Sequence, residues 1–131
     1  MGIEIRACRD HEELQEYGKI VSYVFASTEG MNEELSSTQP EWTTCGFVDG
    51  TMVATMGTFP FTVRLNGRGV PMGGVTAVGT LPQHRRKGIL RQVMTQGLAT
   101  MRERQQPFAI LWASMAAIYQ RFGYGPASAT V

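Results

Sequence analysis

The sequence predicts one α/β (α+β) domain in which a mixed, mostly antiparallel sheet lies between helices. Three observations carry this prediction. Asp49-Gly50 and Asn66-Gly67 are two-residue hairpin signals, two long segments place apolar residues at helical spacing, and one late segment is continuously apolar. Together they give the order β-α-β-β-β-α-β-α over residues 1–131, and the 43% of hydrophobic residues suffices for one core.

The first part of the chain begins with a strand and a helix. Residues 3–8 alternate between apolar and polar side chains, which predicts a strand. Asp10 can cap a following helix, which has Glu12 and Glu13 in its first turn and apolar residues at helical spacing up to Phe25. The polar and acidic segment 27–40 predicts a loop or a short irregular helix.

Three strands joined by the two hairpin turns follow. They cover Thr43 to Val48, Met52 to Leu65 with an interruption near Pro60, and Val70 to Leu81 with breaks at Pro71 and Gly73-Gly74. An amphipathic helix then runs from about Arg86 to Arg104. The run Phe108 to Ala113 predicts a strand buried on both faces, and a short helix is expected around Met115 to Phe122.

Composition narrows the classes of function. With 12 basic and 11 acidic residues the net charge is +1, which gives no general attraction to nucleic acid or to membranes. Cys8 and Cys45 form neither a disulfide framework nor a metal-binding pattern, so we expect a reduced, cytoplasmic setting and no metal. The sequence contains no apolar run of about 18 residues, so no membrane span is expected.

The segment Pro82 to Leu90 breaks the rules for a helix start. A helix N-terminus favours Asp or Glu and a Ser, Thr, Asp or Asn cap, but here three cations, Arg85, Arg86 and Lys87, stand together. An anion bound by the free N–H groups from Arg86 to Leu90 and by these side chains would resolve the conflict. The alternative is a solvated basic surface. A nucleotide triphosphatase is not expected, because the sequence contains no GxxxxGK[ST] motif.

The preceding strand carries a glycine at position 79. An interior glycine marks a bulge or a close approach of the backbone to another group. A bulge there would leave N–H and C=O groups unpaired, and an extended amide-bearing ligand such as a pantetheine arm could pair with them. A tight packing position is the alternative explanation.

Two segments resemble a known superfamily. Gly74 to Leu90 and Ser114 to Ser128 are similar to the GCN5-related N-acetyltransferases (GNAT), whose acetyl-CoA motif is [Arg/Gln]-x-x-Gly-x-[Gly/Ala]. The segments HRRKGIL and IYQRFGYGPAS resemble the N-terminal domain of the enhanced-intracellular-survival (Eis-type) branch, which acetylates amines and has Leu at the last motif position. The resemblance implies a GNAT sheet that lacks its last strands and a co-substrate, acetyl-CoA.

The resemblance also implies roles for particular residues. Tyr119 would be the catalytic residue, the general acid that protonates the departing thiolate, with Tyr124 as the weaker candidate. Backbone groups at the end of the third hairpin strand would hold the pantetheine and acetyl end and stabilise an oxyanion. The implied contacts to the co-substrate are Val78, Gly79, Thr80, Arg85, Arg86, Lys87, Gly88, Ile89, Leu90, Arg91, Ser114 and Met115.

The expected reaction is direct acetyl transfer to a primary amine of a small molecule that is aminoglycoside- or polyamine-like. Glu29, Glu33, Glu34 and Glu41 could attract such a cation, and Phe25, Met31, Trp42 and Trp112 could line its site, although loop acids and core packing explain both sets as well. A non-catalytic acyl-CoA-binding module that needs a partner chain is the alternative function. Because a GNAT domain normally has two further strands, we expect either a fragment of a longer protein or a sheet edge covered in a homo-oligomer.

Overall fold

The computed structural model describes residues 2–25, 36–111 and 116–127. Its strands are β1 (Ile3–Arg6), β2 (Cys45–Val48), β3 (Thr51–Leu65), β4 (Arg68–Thr80) and β5 (Ala109–Leu111). Its helices are α1 (His11–Phe25), α2 (Ile89–Glu103) and α3 (Ala116–Gln120), with 3-10 turns at Pro40–Trp42 and Pro82–His84. The sheet order is β1-β2-β3-β4-β5, and only the β4–β5 pair among these is parallel. The predicted mixed, mostly antiparallel sheet is confirmed.

Both hairpin signals produce the expected turns. Asp49 and Gly50 have φ values of 49° and 83°, and Asn66 and Gly67 have φ values of 51° and 79°. Two successive residues with positive φ give the turn whose twist matches that of paired strands. The two turns set the registers that place β2, β3 and β4 side by side.

The predicted breaks at the prolines are wrong, because β3 and β4 run through them. Pro60 pairs with Gly73, and the Gly73 N–H donates to the Phe108 carbonyl at 3.1 Å on the side away from β3. The two residues of an antiparallel pair point their N–H groups either both toward each other or both away from each other. Since the Gly73 N–H points away from β3, the N–H that Pro60 lacks would have pointed away from β4. Pro71, two residues from Gly73, has the same orientation. Neither proline removes a bond between β3 and β4.

The prediction that the strand after Phe108 is buried on both faces is also wrong for the described part. Ile110 is 51% exposed, and Phe108 is 39% exposed. Parallel pairing puts Ile110 on the same face as Gly74, whereas α1 covers that face further along β4, where Val24 lies against Gly79. The middle of β5 therefore stays outside the core.

The core has two parts, one on each side of the sheet. The cluster under α1 includes Leu14, Tyr17, Ile20, Val21, Phe47, Met52 and Ala77. The cluster under α2 includes Val53, Met56, Val75, Ile89, Val93, Met94 and Met101. Because α2 connects to the end of β4 through only eight residues, its N-terminus lies close to that end of the strand.

Candidate functional site

The basic segment forms a turn rather than the first turn of a helix. Arg86 has φ 61° and Gly88 has φ 76°, and neither value continues a right-handed helix. The helix predicted to start at about Arg86 therefore starts at Ile89. Gly88 is its N-cap, adopts the left-handed conformation and makes no side-chain cap hydrogen bond. Glycine suits this position because it alone reaches such angles without a steric cost.

The start of α2 presents N–H donors and positive side chains together. The first helical hydrogen bond runs from the Gln92 N–H to the Gly88 carbonyl at 3.3 Å, so the donors of the first turn are those of Ile89, Leu90 and Arg91. They replace the predicted set of Arg86 to Leu90. The first turn contains no acidic residue. The side chain of Ile89 is buried in the core, and that of Leu90 is half-buried, so these two residues can offer a ligand only their backbone.

The cations of the segment lie at the surface. Arg85, Arg86, Lys87 and Arg91 are exposed residues. The Arg85 Nε donates to the Thr80 carbonyl oxygen at 3.1 Å, which joins the segment to the end of β4. The segment is therefore a basic turn anchored on one strand and leading into one helix.

A β-bulge lies in β4 just before this anchor point. Gly57 pairs with Thr76, whereas Thr55 pairs with Gly79, so β4 has one extra residue between the pairs. The residue with the unusual conformation is Ala77, at φ 54°, and its carbonyl accepts a hydrogen bond from the Thr55 hydroxyl at 2.8 Å. The bulge was expected at Gly79 and lies two residues earlier.

Gly79 has a packing role in this structure. A Cβ atom at this position would lie 2.9 Å from Cγ1 of Val24 in α1, which is closer than packed carbon atoms approach. The tight-packing alternative therefore accounts for this glycine. Its assignment as a contact to the co-substrate stays a prediction.

The last residues of β4 turn backbone groups toward the β5 side. The Leu81 N–H donates to the Val53 carbonyl at 2.9 Å, so Leu81 faces β3. Because hydrogen-bonding directions alternate along an antiparallel strand, the N–H and C=O of Thr80 point away from β3. In the described residues β5 pairs with β4 only at Gly73, Gly74 and Val75. The N–H of Thr80 thus faces the side on which the strand has no described β-ladder partner.

Three buried polar atoms of this region lack a hydrogen-bond partner within the described ranges. They are the Thr80 Oγ1, the His84 Nδ1 and the Tyr124 Oη. Thr80 ends β4, His84 ends the following turn, and Tyr124 follows α3. Buried polar atoms in folded proteins are usually satisfied, so such atoms call for an additional partner. The resemblance had indicated Thr80 through its backbone and Tyr124 as a weaker candidate acid, but it gave no signal for the Thr80 hydroxyl.

Tyr119 and Tyr124 are neighbours on the α2 side of the sheet. Their ring centroids are 6.0 Å apart at an interplanar angle of 73°, and both rings pack against the core cluster under α2. Burial raises the pKa of Tyr119 above its usual value of 10. Burial and the neighbouring Tyr119 raise the pKa of Tyr124 to about 12. Both phenols therefore keep their protons at neutral pH.

The remaining site residues are placed only in part. Seven of the residues that the sequence indicated lie outside the described ranges: Glu29, Met31, Glu33, Glu34, Trp112, Ser114 and Met115. Trp42 contacts the Phe59 ring at 5.5 Å, and Phe25 is 47% exposed at the end of α1. Glu41 is exposed, and its carbonyl accepts a hydrogen bond from the Arg104 Nη2 at 2.6 Å. These contacts do not join Phe25 to Glu41 or Trp42.

The cysteines lie away from the basic turn. Cys8 and Cys45 are free and buried in the cluster under α1, with their sulfur atoms 3.8 Å apart. No helix in the described ranges has both the length and the apolar character needed to cross a membrane. Among the same residues, no three His, Cys, Asp or Glu side chains are grouped as metal ligands.

Comparison with known proteins identifies the family. Residues 4–127 match the acetyltransferase (GNAT) domain, and the chain belongs to this family. An uncharacterized N-acetyltransferase of Streptomyces griseus is 32% identical over 99% of the chain, which spans 32% of that protein. The N-acetyltransferase Eis of Mycobacterium tuberculosis is 41% identical over 45% of the chain, which spans 15% of that protein. The Eis-type resemblance is confirmed.

Solved structures agree on the fold. The chain superposes on Eis1 of Mycobacterium abscessus with a TM-score of 0.84 at 27% identity, over 95% of this chain and 31% of the other. It also superposes on AAC(6′)-Iy, solved with a bisubstrate analogue that contains CoA, with a TM-score of 0.80 at 12% identity over 100% and 96% of the two chains. The chain therefore has the GNAT fold and spans about a third or less of the length of its curated relatives.

Proposed function

We propose that the protein is an acetyl-CoA-dependent N-acetyltransferase that acts on a primary amine of a small molecule. The single observation that carries the proposal is the basic turn before α2, within a chain of the GNAT family. The turn offers exposed cations and a helix start with neither an acidic residue nor a side-chain cap, which suits a diphosphate. The amine is expected to be aminoglycoside- or polyamine-like, as the resemblance to the Eis-type branch implies.

The residues at the end of β4 fit an extended thioester carrier. The N–H of Thr80 points away from β3, and the buried Thr80 Oγ1 has no described partner. A pantetheine arm carries amides that can pair with strand backbone groups, and its diphosphate end would reach Arg86, Lys87 and the N–H groups of Ile89 to Arg91. Val78, Gly79, Leu90, Ser114 and Met115 complete the proposed contacts. Acetyl-CoA supplies the acetyl group as a thioester when it is bound.

In the proposed mechanism one protein group stabilises the charge on the thioester oxygen and another protonates the leaving sulfur. A backbone N–H at the end of β4 donates to the thioester oxygen as negative charge develops there. The neutral amine attacks the carbonyl carbon directly, and the carbon–sulfur bond breaks as Tyr119 donates its proton to the leaving sulfur. The proton that the amine nitrogen loses balances the one that Tyr119 gives up. The raised pKa of Tyr119 keeps this proton available at neutral pH. No covalent protein intermediate is included, because Cys8 and Cys45 lie under α1.

Release of free CoA with a panel of polyamines and aminoglycosides tests the activity. Tyr119→Phe should lower kcat by about a hundredfold or more while leaving CoA affinity unchanged, since a general acid contributes about 10²–10⁴-fold. Tyr23→Phe is the matched control, because Tyr23 is 66% exposed on α1. Undiminished turnover by Tyr119→Phe would remove Tyr119 from the mechanism.

The pH profile gives a second readout of the same residue. The active form carries the Tyr119 proton, so kcat should fall only as the pH rises above about 10, through the raised pKa. This basic limb should be absent in Tyr119→Phe. An identical basic limb in both proteins would assign it to another group.

A non-catalytic acyl-CoA-binding module that needs a partner chain is the second candidate. One observation favours it: the chain spans only 15–32% of the length of the relatives that are named N-acetyltransferases. Calorimetry separates the two candidates. CoA binding without turnover across the amine panel supports the binding module, whereas absence of CoA binding contradicts both.

A further inference from the structure

We infer that Arg85 is a positioning residue for the basic turn rather than one of its diphosphate ligands. The inference rests on the proposed function for its consequence, and on the Arg85–Thr80 hydrogen bond for its geometry. That bond joins the Nε of Arg85 to the carbonyl of the last β4 residue at 3.1 Å.

The hydrogen bond closes a ring of short contacts between strand and turn. The His84 N–H donates to the Leu81 carbonyl at 2.9 Å, and the Arg85 N–H donates to the Pro82 carbonyl at 3.3 Å. The side chain of Arg85 then returns to Thr80, so the whole stretch from Thr80 to Arg85 is fixed by three bonds. The next residue is Arg86, with φ 61°, a conformation that non-glycine residues keep only when surrounding contacts impose it.

The acceptor in this bond explains why a side-chain donor is needed. The Thr80 carbonyl points away from β3, so the β-ladder with β3 does not satisfy it. The Arg85 Nε supplies the N–H donor that this carbonyl otherwise lacks, and a side-chain N–H at the same distance from the backbone can do the same. Arg85 thereby caps the end of β4 and orients the turn that carries Arg86, Lys87 and Gly88.

The position of the donor atom makes the inference sharply testable. Nε is the fourth atom of the arginine side chain, and the amide nitrogen of glutamine is also fourth. The lysine Nζ lies one atom further out, and methionine has no nitrogen at all. If positioning is the role, glutamine should replace Arg85 and lysine should not. If positive charge is the role, lysine should replace it and glutamine should not.

The experiment measures CoA binding by calorimetry for Arg85→Gln, Arg85→Lys and Arg85→Met at two salt concentrations. We expect Arg85→Gln to bind within about twofold of the unaltered protein with the same salt dependence. Arg85→Lys and Arg85→Met should bind about tenfold more weakly, the loss typical of a removed hydrogen bond to a charged group. Arg64→Gln, at an exposed position in β3, controls for the loss of one positive charge.

Steady-state kinetics give the positioning readout. The weakened variants should raise the KM for acetyl-CoA about tenfold while kcat at saturation and the KM for the amine stay unchanged. Equal binding by all three variants, or tight binding by lysine with weak binding by glutamine, overturns the inference. A kcat that falls in step with the thermal stability of the variants also overturns it, because that pattern indicates a structural role.

Amide hydrogen exchange in the CoA-free protein separates this inference from the proposed function. Exchange at Lys87 and Gly88 should be faster in Arg85→Met than in Arg85→Gln, because only the former loses the bond to Thr80. If the exchange rates match, the inference fails even where CoA binds. If they differ and the protein binds no CoA, the positioning of the turn stands and the proposed function fails.

Discussion

The two long helices have the same length, 15 residues each, but their starts are built in opposite ways. At the start of α1 the Asp10 Oδ1 accepts a hydrogen bond from the Glu13 N–H at 2.9 Å, and the Glu13 Oε1 accepts one from the Arg9 N–H at 2.8 Å. At the start of α2 Gly88 provides no side-chain cap, and the nearby side chains are cations. The start of α1 is capped by side chains of its own chain, whereas the start of α2 has no side-chain cap.

The difference has an electrostatic meaning. A helix N-terminus carries about half a positive charge, which Glu12 and Glu13 offset in α1. In α2 the exposed Arg86, Lys87 and Arg91 add to that charge. Without an anion this arrangement is unfavourable, and with one it becomes an advantage. The comparison therefore supports the proposal that the start of α2 binds the diphosphate.

Making the start of α2 resemble that of α1 should have the largest effect. Gly88→Asp places a carboxylate where the diphosphate is proposed to bind, so we expect CoA affinity to fall on the order of a hundredfold. Gly88→Asn is the matched control, because asparagine tolerates positive φ and carries no charge, and it should lose less than about fivefold. Calorimetry with CoA measures both. Equal losses in the two variants would show that backbone conformation, not charge, is what Gly88 contributes.

Acid should weaken the start of α1 specifically. The Arg6 guanidinium and the Arg9 N–H hold the pKa of Glu13 at about 2, below its ordinary value of 4.5. A lowered folded-state pKa gives stability that is present above about pH 4.5 and lost as the pH falls toward 2. Glu13→Gln should therefore cost about 1–2 kcal/mol of unfolding free energy at pH 7 and much less at pH 2.5.

Urea denaturation at these two pH values measures the change. Glu16→Gln is the control, since the exposed Glu16 only approaches Lys19, at 3.8 Å. A Glu13→Gln penalty that is the same at pH 7 and pH 2.5 would contradict the assigned role of the Glu13 charge. CoA affinity should be unchanged in both variants at pH 7, because the start of α1 is not part of the proposed site.

The start of α1 was predictable from sequence and that of α2 only in outline. Asp10 and Glu13 act on neighbours within four residues, so local rules suffice for them. The sequence showed that the rules fail at Arg85 to Lys87, but not that Arg86 would adopt a positive φ. The residue before it is bonded to the end of β4, and the order of residues alone does not reveal that contact.

The same limit applies along β4. The bulge lies at Ala77, a residue with no intrinsic preference for positive φ, and its carbonyl is held by Thr55 from the neighbouring strand. The bulge was predicted at Gly79 because glycine is the usual signal for one. The structure instead explains this glycine by its close packing against Val24 on α1. Both features follow from tertiary packing. The hairpin turns were predictable because Asp-Gly and Asn-Gly encode their own conformation.

Two buried threonines extend the comparison from backbone to side chain. Thr55 Oγ1 donates to the Ala77 carbonyl, whereas Thr80 Oγ1 has no partner in the described ranges. Thr55→Val should lower the unfolding free energy by about 1–2 kcal/mol, and Thr80→Val should leave it unchanged or raise it by about 1 kcal/mol. If the hydroxyl of Thr80 serves a ligand, Thr80→Val should also weaken CoA binding.

Thermal denaturation and calorimetry on both variants check these outcomes. A Thr80→Val protein that is more stable and binds CoA more weakly would mean that the Thr80 hydroxyl contacts the ligand. Thr80 would then belong to the binding site, together with the start of α2. A Thr80→Val protein that loses as much stability as Thr55→Val would mean that its hydroxyl already has a partner in the free protein.

The smallest expected effect isolates the cap of α1. Asp10→Ala removes the acceptor for the Glu13 N–H and should cost about 1 kcal/mol of unfolding free energy, while Asp10→Asn, which keeps an acceptor, should cost a few tenths. Neither variant should change CoA affinity, because the start of α1 is capped by its own side chains and is not part of the proposed site. Denaturant titration and CoA calorimetry on the pair test this. A change in CoA affinity that follows the loss of the Asp10 cap would mean that the two helix starts are energetically coupled through the sheet. The contrast between a capped and an uncapped helix start would then not separate stability from binding in this fold.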